Sequence, residues 1–270
     1  NSRICQKSKL MRLNSPKMNL MYKACMKASR SLIRDFGEIE KLQVSSKGPA
    51  DFVTAADKRT EKIIIEELLK ANPDYGVISE EIGEINEKNK NNRWIIDPID
   101  GTLNFLNGIP HFAISIAYEE KKEIVSGLIF DPIKDEIFFA EKGAGAFFNN
   151  SRIRVSKKTK LKDSVLVTGG PKFNSPRKDK TFEEYIQVSN STNAAIRKFG
   201  SAALAMSYVA AGRFDGYWEW ELNYWDIAAG IIILKEAGGY IDFIEPKKNV
   251  NVVATNSKIH EELKSVLIID

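Results

Sequence analysis

Apolar residues recur every fourth position from Leu20 through Ala24, Ala28 and Leu32 to Phe36, the stripe of a helix that buries one face. Ser15–Pro16 reads as its N-cap and first helical position, and Gly37 as the residue just past its end. A second helix is predicted over 54–70, capped by Thr54, with Ile63–Ile65, Leu68 and Leu69 facing inward and Asp57 in its first turns. Short strands follow at 75–79 ("YGVIS") and 93–97 ("RWIID"), separated by the polar loop "GEINEKNKNN". From 112 to 153 four β-rich runs are broken by turn residues, which predicts an antiparallel meander. After about residue 154 the pattern alternates between strand and helix, ending in "YIDFI", "NVVAT" and a short helix at 257–267. Helices, antiparallel strands and then βα alternation imply stacked α and β layers, an α+β or α/β arrangement.

Composition narrows the class. The chain has 270 residues, 43% of them hydrophobic and 28% charged, enough for a sizeable core and unlike a disordered or fibrous protein. Residues 1–16 read as a flexible basic tail, and 17–270 as one domain with halves at 17–153 and 154–270. No run of 18 apolar residues occurs, so no membrane span is expected. Only Cys5 and Cys25 are present, which argues against a disulfide framework and for a reducing, cytoplasmic setting. Cys25 is placed on the surface stripe of the first helix and taken as inert. The net charge is +4, with the basic excess concentrated in residues 1–30, where no acid occurs. That stretch reads as a solvated face and tail, with an acid-poor leader or a nucleic-acid contact as alternatives.

The acids carry the chemistry. "SEEIG" offers Glu80 and Glu81 at a strand end, "DPIDGT" offers Asp97 and Asp100, "YWDIAAG" offers Asp226 at the start of an apolar helix, and "FVTAAD" offers Asp57. Taken singly, Asp226 could be a helix cap and Asp100–Gly101 a hairpin turn. Taken together, they need a counter-charge. Two like charges ~4 Å apart repel by about 4 kcal/mol at an effective dielectric of about 20. Oxygen donors without cysteine, in a chain whose only histidines are His111 and His260, favour Mg²⁺ over softer metals. The glycine after Asp100 allows close backbone approach, and a helical turn starting at Thr102–Leu103 would aim the Gly101 and Thr102 amides at an anion. A phosphate site with a hydrolytic reaction follows, the Thr102 hydroxyl holding water against Glu80.

"DPIDGTLNF" (97–105) and "WDIAAGIIILKEAGG" (225–239) resemble the two signature motifs of the inositol monophosphatase family. "GPADFVTAAD", "SEEIG" and "PHFAIS" are further family-like segments in the same order. The resemblance implies an αβαβα sandwich, hydrolysis of a small phosphate monoester such as myo-inositol monophosphate, two or three Mg²⁺ ions, and a homodimer. It implies metal ligation by Glu80, Asp97, the Ile99 carbonyl, Asp100 and Asp226, and water positioning by Glu80 and Thr102, with Asp57 supporting Thr102. Asp100, Gly101 and Thr102 would hold phosphate; Glu219, Ser201 and Ala202 would face the substrate. Lys47 falls near a position that touches metal-bound water. Glu221, Asn223 and Tyr224 depart from the family pattern where substrate choice is made. Histidinol phosphate, fructose 1,6-bisphosphate and 3′-phosphoadenosine 5′-phosphate are the alternative substrates. A second phosphate would need basic residues such as those of "PKFNSPRKDK" (171–180), which otherwise reads as an exposed loop. A role in RNA-processing or transcription complexes is the non-enzymatic alternative. His111 reads as structural, and Trp218, Trp220 and Trp225 as packing residues.

Overall fold

The computed structural model describes residues 15–42, 49–86, 88–170, 175–192, 195–244 and 250–269, with side chains of 40–42 and 49–54 excepted. Two helices lead, α1 (Pro16–Leu42) and α2 (Pro49–Ala71). An eight-stranded sheet follows, built from β1 (Gly76–Ser79), β2 (Gly83–Ile85), β3 (Asn92–Asp100), β4 (Ala113–Glu120), β5 (Glu123–Asp131), β6 (Glu136–Glu141), β7 (Gly145–Phe148) and β8 (Ser151–Arg152), with α3 (Thr102–Leu106) after β3. Its order is β2-β1-β3-β4-β5-β6-β7-β8, and only the β1–β3 pair is parallel. The second half supplies β9 (Val165–Thr168), α4 (Lys178–Ser191), β10 (Ala195–Arg197), α5 (Ala202–Ala210), β11 (Gly216–Leu222), α6 (Tyr224–Glu236), β12 (Tyr240–Phe243), β13 (Val250–Thr255) and α7 (His260–Ser265). Its five strands run in the order β10-β9-β11-β13-β12.

The two-residue period of the strands sorts these elements into layers. Along β3 and β4, Trp94, Ile96, Ile114 and Ile116 pack under α1 and α2, whereas Ile95, Ala113 and Ala117 turn to the other face, against α5 and α6. Along β11 and β13, Tyr217, Val252 and Ala254 meet α5 and α6 from the far side. Trp218, Trp220 and Val253 point outward to Val188 of α4 and Leu263 of α7. The result is the αβαβα sandwich, with α5 and α6 as the central layer, α5 and the Ile227–Leu234 stretch of α6 being buried throughout and nearly all apolar.

Several local expectations are corrected. Helix α1 runs through Gly37 to Leu42, because Ile39 extends the buried stripe and outweighs the roughly 1 kcal/mol that an interior glycine costs. Helix α2 begins at Pro49, so Thr54 lies within it and Asp57 sits two turns in. The stretch read as a polar loop contains β2, which pairs with β1. Cys25 lies inside the core, where burial pushes its thiol well above the usual range. The Ser15 cap is as expected, its hydroxyl accepting from the Met18 amide at 3.1 Å. Basic residues of α1 are partly paired, Lys23 and Lys27 with Glu67 at 2.6 and 2.9 Å and Lys17 with Glu120 at 3.6 Å. Residues 1–14 and Lys47 lie outside the described residues.

Candidate active site

The site grows out of a defect in a strand. Asp97 and Asp100 are three positions apart, which in a regular strand puts their side chains on opposite faces. The β3–β4 register shifts here, from Asp97 opposite Ser115 to Asp100 opposite Ala113, so one extra residue is taken up on β3. Pro98, without an N–H, falls inside this bulge. The extra residue brings both aspartates to one pocket, while Ile99 between them packs under α1 and α2. Gly101 then takes φ +98°, and a Cβ there would lie 3.1–3.3 Å from His111 O, Gly200 O and Phe112 Cα. Only glycine lets the chain turn into α3 at this point.

The pocket encloses about 200 Å³. Glu80, Asp97, Ile99, Asp100, Gly101, Thr102, Ser201, Ala202, Glu219 and Asp226 all line it, together with Gly169, Gly200, Leu222 and Asn223. Every site residue expected from the sequence is therefore in its wall except Asp57. Two helix N-termini open onto it. Asp100 reaches the first, accepting from the Ser201 hydroxyl and from the Ala202 and Ala203 amides at 3.2 and 2.8 Å. Asp226 sits three residues into the second, where its Oδ2 accepts from the Asn223 amide at 2.8 Å in a capping box. Thr102 donates its hydroxyl to the Ile99 carbonyl at 2.9 Å rather than to Asp57. Asp57 stands behind the wall, buried in α2, and its Oδ1 finds no hydrogen-bond partner among the described residues.

Electrostatics mark the place. Burial, then the charges of Asp100, Glu80, Asp226 and Asp57, hold the Asp97 carboxyl well above the usual range. Burial pushes Asp100 up to about 8 against the hydrogen bond from Ser201, with Asp226 adding to the rise. Asp57 is raised to about 8 by burial and then by Glu80, Glu81 and Glu61. Glu80 is exposed as a residue, yet its carboxyl is desolvated among the acids and rises to about 7. Among the described residues no lysine or arginine pairs with Asp57, Glu80, Asp97 or Asp100. Glu80 and Asp97 share a side-chain hydrogen bond, while backbone amides take oxygens of Asp100 and Asp226.

The substrate-facing wall contains residues the sequence reading passed over. Glu219 Oε2 accepts from the buried Tyr217 hydroxyl at 2.7 Å. A Cβ on Gly169 would lie 1.9 Å from the Glu219 carboxyl carbon, so the missing side chain at 169 is the space Glu219 occupies. The Gly–Gly pair closing "SVLVTGG" was the available signal. Glu221 takes φ +58° in a β11 bulge, its amide held by Asn251 Oδ1 at 2.9 Å. Trp218 and Trp220 are core residues as expected. Arg177, read as part of an exposed basic loop, instead donates to Glu184 at 2.5 Å and lies over Trp220, while 171–174 fall outside the described residues and Lys178–Lys180 open α4. His111 packs at a tilt against Phe199 and is lowered to about 4, chiefly by burial.

An αβαβα sandwich with an oxygen-lined acidic pocket at two helix N-termini defines a class, the phosphoric monoester hydrolases that work with metal ions. Residues 14–267 match the model of the inositol monophosphatase family, and the chain belongs to that family. It is 48% identical over 254 residues to an inositol-1-monophosphatase of Rhizobium meliloti, covering 93% of this chain and 95% of the relative. A protein named Nus factor SuhB from Haemophilus influenzae is 38% identical over 253 residues, covering 92% and 94%. The crystal structure of extragenic suppressor protein suhB from Bartonella henselae superposes with a TM-score of 0.85 at 48% identity, covering 94% of this chain and 99% of that one. The chain is thus a phosphoric monoester hydrolase of a metal-dependent family.

Proposed function

We propose that this chain hydrolyses myo-inositol monophosphate to inositol and phosphate with Mg²⁺ in the pocket. The observation that carries the reading is the set of desolvated acids that repel one another, with no lysine or arginine among the described residues paired to Glu80, Asp97 or Asp100. Its donors are all oxygen, which fits a hard divalent cation. Glu80, Asp97, the Ile99 carbonyl, Asp100 and Asp226 would hold two or three Mg²⁺ ions. When bound, the ions supply Lewis acidity for the phosphoryl group and a lowered pKa for a bound water.

The rest falls to the chain. Glu80 and Thr102 orient the attacking water, and the backbone at Gly101 and Thr102 receives the phosphoryl oxygens. Asp57 acts from behind the wall, through the charge it shares with Glu80 and Asp97. Ser201 and Ala202 fix Asp100, and Glu219 accepts hydrogen bonds from polyol hydroxyls. The name of the Rhizobium meliloti relative supports inositol 1-phosphate as the substrate. The rival with two phosphates loses support, because Arg177 is spent on Glu184. Pairing of Lys17, Lys23 and Lys27 likewise weakens a nucleic-acid role for the basic stretch. One domain over 17–270, acting as a cytoplasmic homodimer, completes the reading. Among the described residues no helix is long and apolar enough to cross a membrane.

The test is phosphate release from inositol 1-phosphate, histidinol phosphate, fructose 1,6-bisphosphate and 3′-phosphoadenosine 5′-phosphate, each with and without Mg²⁺. Turnover of inositol 1-phosphate should be Mg²⁺-dependent and the fastest. A different best substrate would correct the assignment, and no turnover of any would overturn it.

A further inference from the structure

Glu80 lies on a three-residue turn, 80–82, between β1 and β2, with Ser79 paired to Gly83 across it. The turn is exposed. Ile82 is 52% accessible, and a Cβ on Gly83 would meet nothing within 4 Å. Loops of this kind are mobile unless tied down, yet this one carries a side chain that must meet Asp97 and Asp226 at a fixed place. On one side Glu80 is anchored by the sheet, since Ser79 also pairs with Ile96 of β3. On the other side the anchor is Glu61 of α2, earlier in the chain and fully buried. Its Oε1 accepts from the amides of Glu81 at 3.0 Å and Ile82 at 3.4 Å. Its Oε2 is equally buried and has no hydrogen-bond partner among the described residues. A carboxylate is retained here, in a region already crowded with acids, where burial without full satisfaction is costly.

We propose that Glu61 is a positioning residue for catalysis: by accepting from the amides that follow Glu80, it holds the turn so that the Glu80 carboxylate faces the pocket. This rests on the reading of Glu80 as a Mg²⁺ ligand. The clamp acts through an acceptor oxygen and not through charge, and that separates it from a purely electrostatic role. Glu61→Gln keeps the oxygen and removes the charge. Glu61→Leu removes both at similar volume.

Mg²⁺ binding is measured by titration calorimetry without substrate on the wild type and both variants, with Asp97→Asn as control. Glu61→Leu should bind Mg²⁺ about 10- to 100-fold more weakly, the usual loss when a group supporting a metal ligand is removed. Glu61→Gln should stay within about threefold of the wild type, since the amides still find an acceptor. Activity at saturating Mg²⁺ should recover in Glu61→Leu, with the loss appearing in the Mg²⁺ requirement. Wild-type Mg²⁺ binding in Glu61→Leu would overturn the proposal, and so would equal weakening in Glu61→Gln. Should Glu61→Leu fail to fold, hydrogen exchange of the Glu81 and Ile82 amides in the wild type and Glu61→Gln decides: protection in both supports the clamp, and free exchange in the wild type removes it. If Asp97→Asn binds Mg²⁺ normally, the metal site itself is wrongly placed, whatever Glu61 does.

Discussion

Asp97 and Asp215 are each 2% exposed, and nothing in their degree of burial distinguishes them. Their neighbours do. Asp215 receives the Ser156 hydroxyl, the Lys158 ammonium at 3.0 Å and the Val165 amide at 2.6 Å, so that one carboxylate ties the chain around 156–158 to β9 and to the start of β11. Asp97 receives the Ile99 amide at 3.0 Å and shares a hydrogen bond with another acid, Glu80, and the charges around it are Asp100, Glu80, Asp226 and Asp57. A buried acid with its cation inside the chain is structural. A buried acid whose neighbours share its sign has been left for a cation from outside. The sign of the surroundings, and not depth, separates the two regions.

Exchanging the damage tests this most strongly. Asp97→Asn is expected to lower turnover by about 10³-fold, the scale on which one preorganised charge contact is lost. Without Mg²⁺ it should melt no lower than the wild type, because it relieves repulsion. Asp215→Ala is expected to cost about 1–3 kcal/mol of stability, since it leaves the Ser156 hydroxyl and the Val165 amide without their acceptor, while the exposed Lys158 ammonium returns to water. Its specific activity per folded molecule should be near the wild-type value. Thermal melts alongside phosphate release check both, and the opposite pattern would break the comparison.

A smaller effect sharpens it. Gly169→Ala should displace the Glu219 carboxyl from beside Tyr217 and raise KM for inositol 1-phosphate by about tenfold, equivalent to about 1.4 kcal/mol. Hydrolysis of 4-nitrophenyl phosphate, which has no polyol hydroxyls, should change little. Equal loss on both substrates would mean that Glu219 does not read the hydroxyls.

The smallest effect is a pH trend in metal-free protein. Glu80, Asp57 and Asp100 are raised from the ordinary carboxylate range to about 7, 8 and 8. Between that range and about pH 8 the folded state binds protons that the unfolded chain has released, so stability falls as pH rises. Melts in a chelator should drop by a few degrees from pH 5.5 to 8, on the scale of about 2–4 °C per kcal/mol for a chain of this size. A flat or rising profile would show that these acids are not protonated together.

Much of the site was legible because its chemistry is written locally. "DPIDGT" carries both aspartates, the turn and the helix start within six residues, though the bulge that turns the two carboxyls to one side appears only in the pairing of β3 with β4. Glu219 could be placed by the resemblance, but Gly169 could not, because its importance is the volume it leaves to a residue fifty positions on. Glu61 was invisible for the same reason: on α2 it reads as one more charge on a helix, and its burial is decided by a turn in another layer. The helix ends were misread at Gly37 and Thr54, where propensity argued for a boundary and packing carried the helix across.

Periodicity in the sequence determined which elements form and which face of each is buried, since side-chain direction follows from backbone geometry within a few residues. The sequence also sets the inventory of acids, two of them at the end of one apolar strand. Only the tertiary structure decided which acids meet and which are neutralised. Asp100 finds the start of α5 across a hundred residues, Arg177 leaves the surface for Glu184 and Trp220, and Glu61 finds the turn beside Glu80. A charge becomes structural or functional through the partner that folding brings to it, and that partner lies far beyond any local pattern.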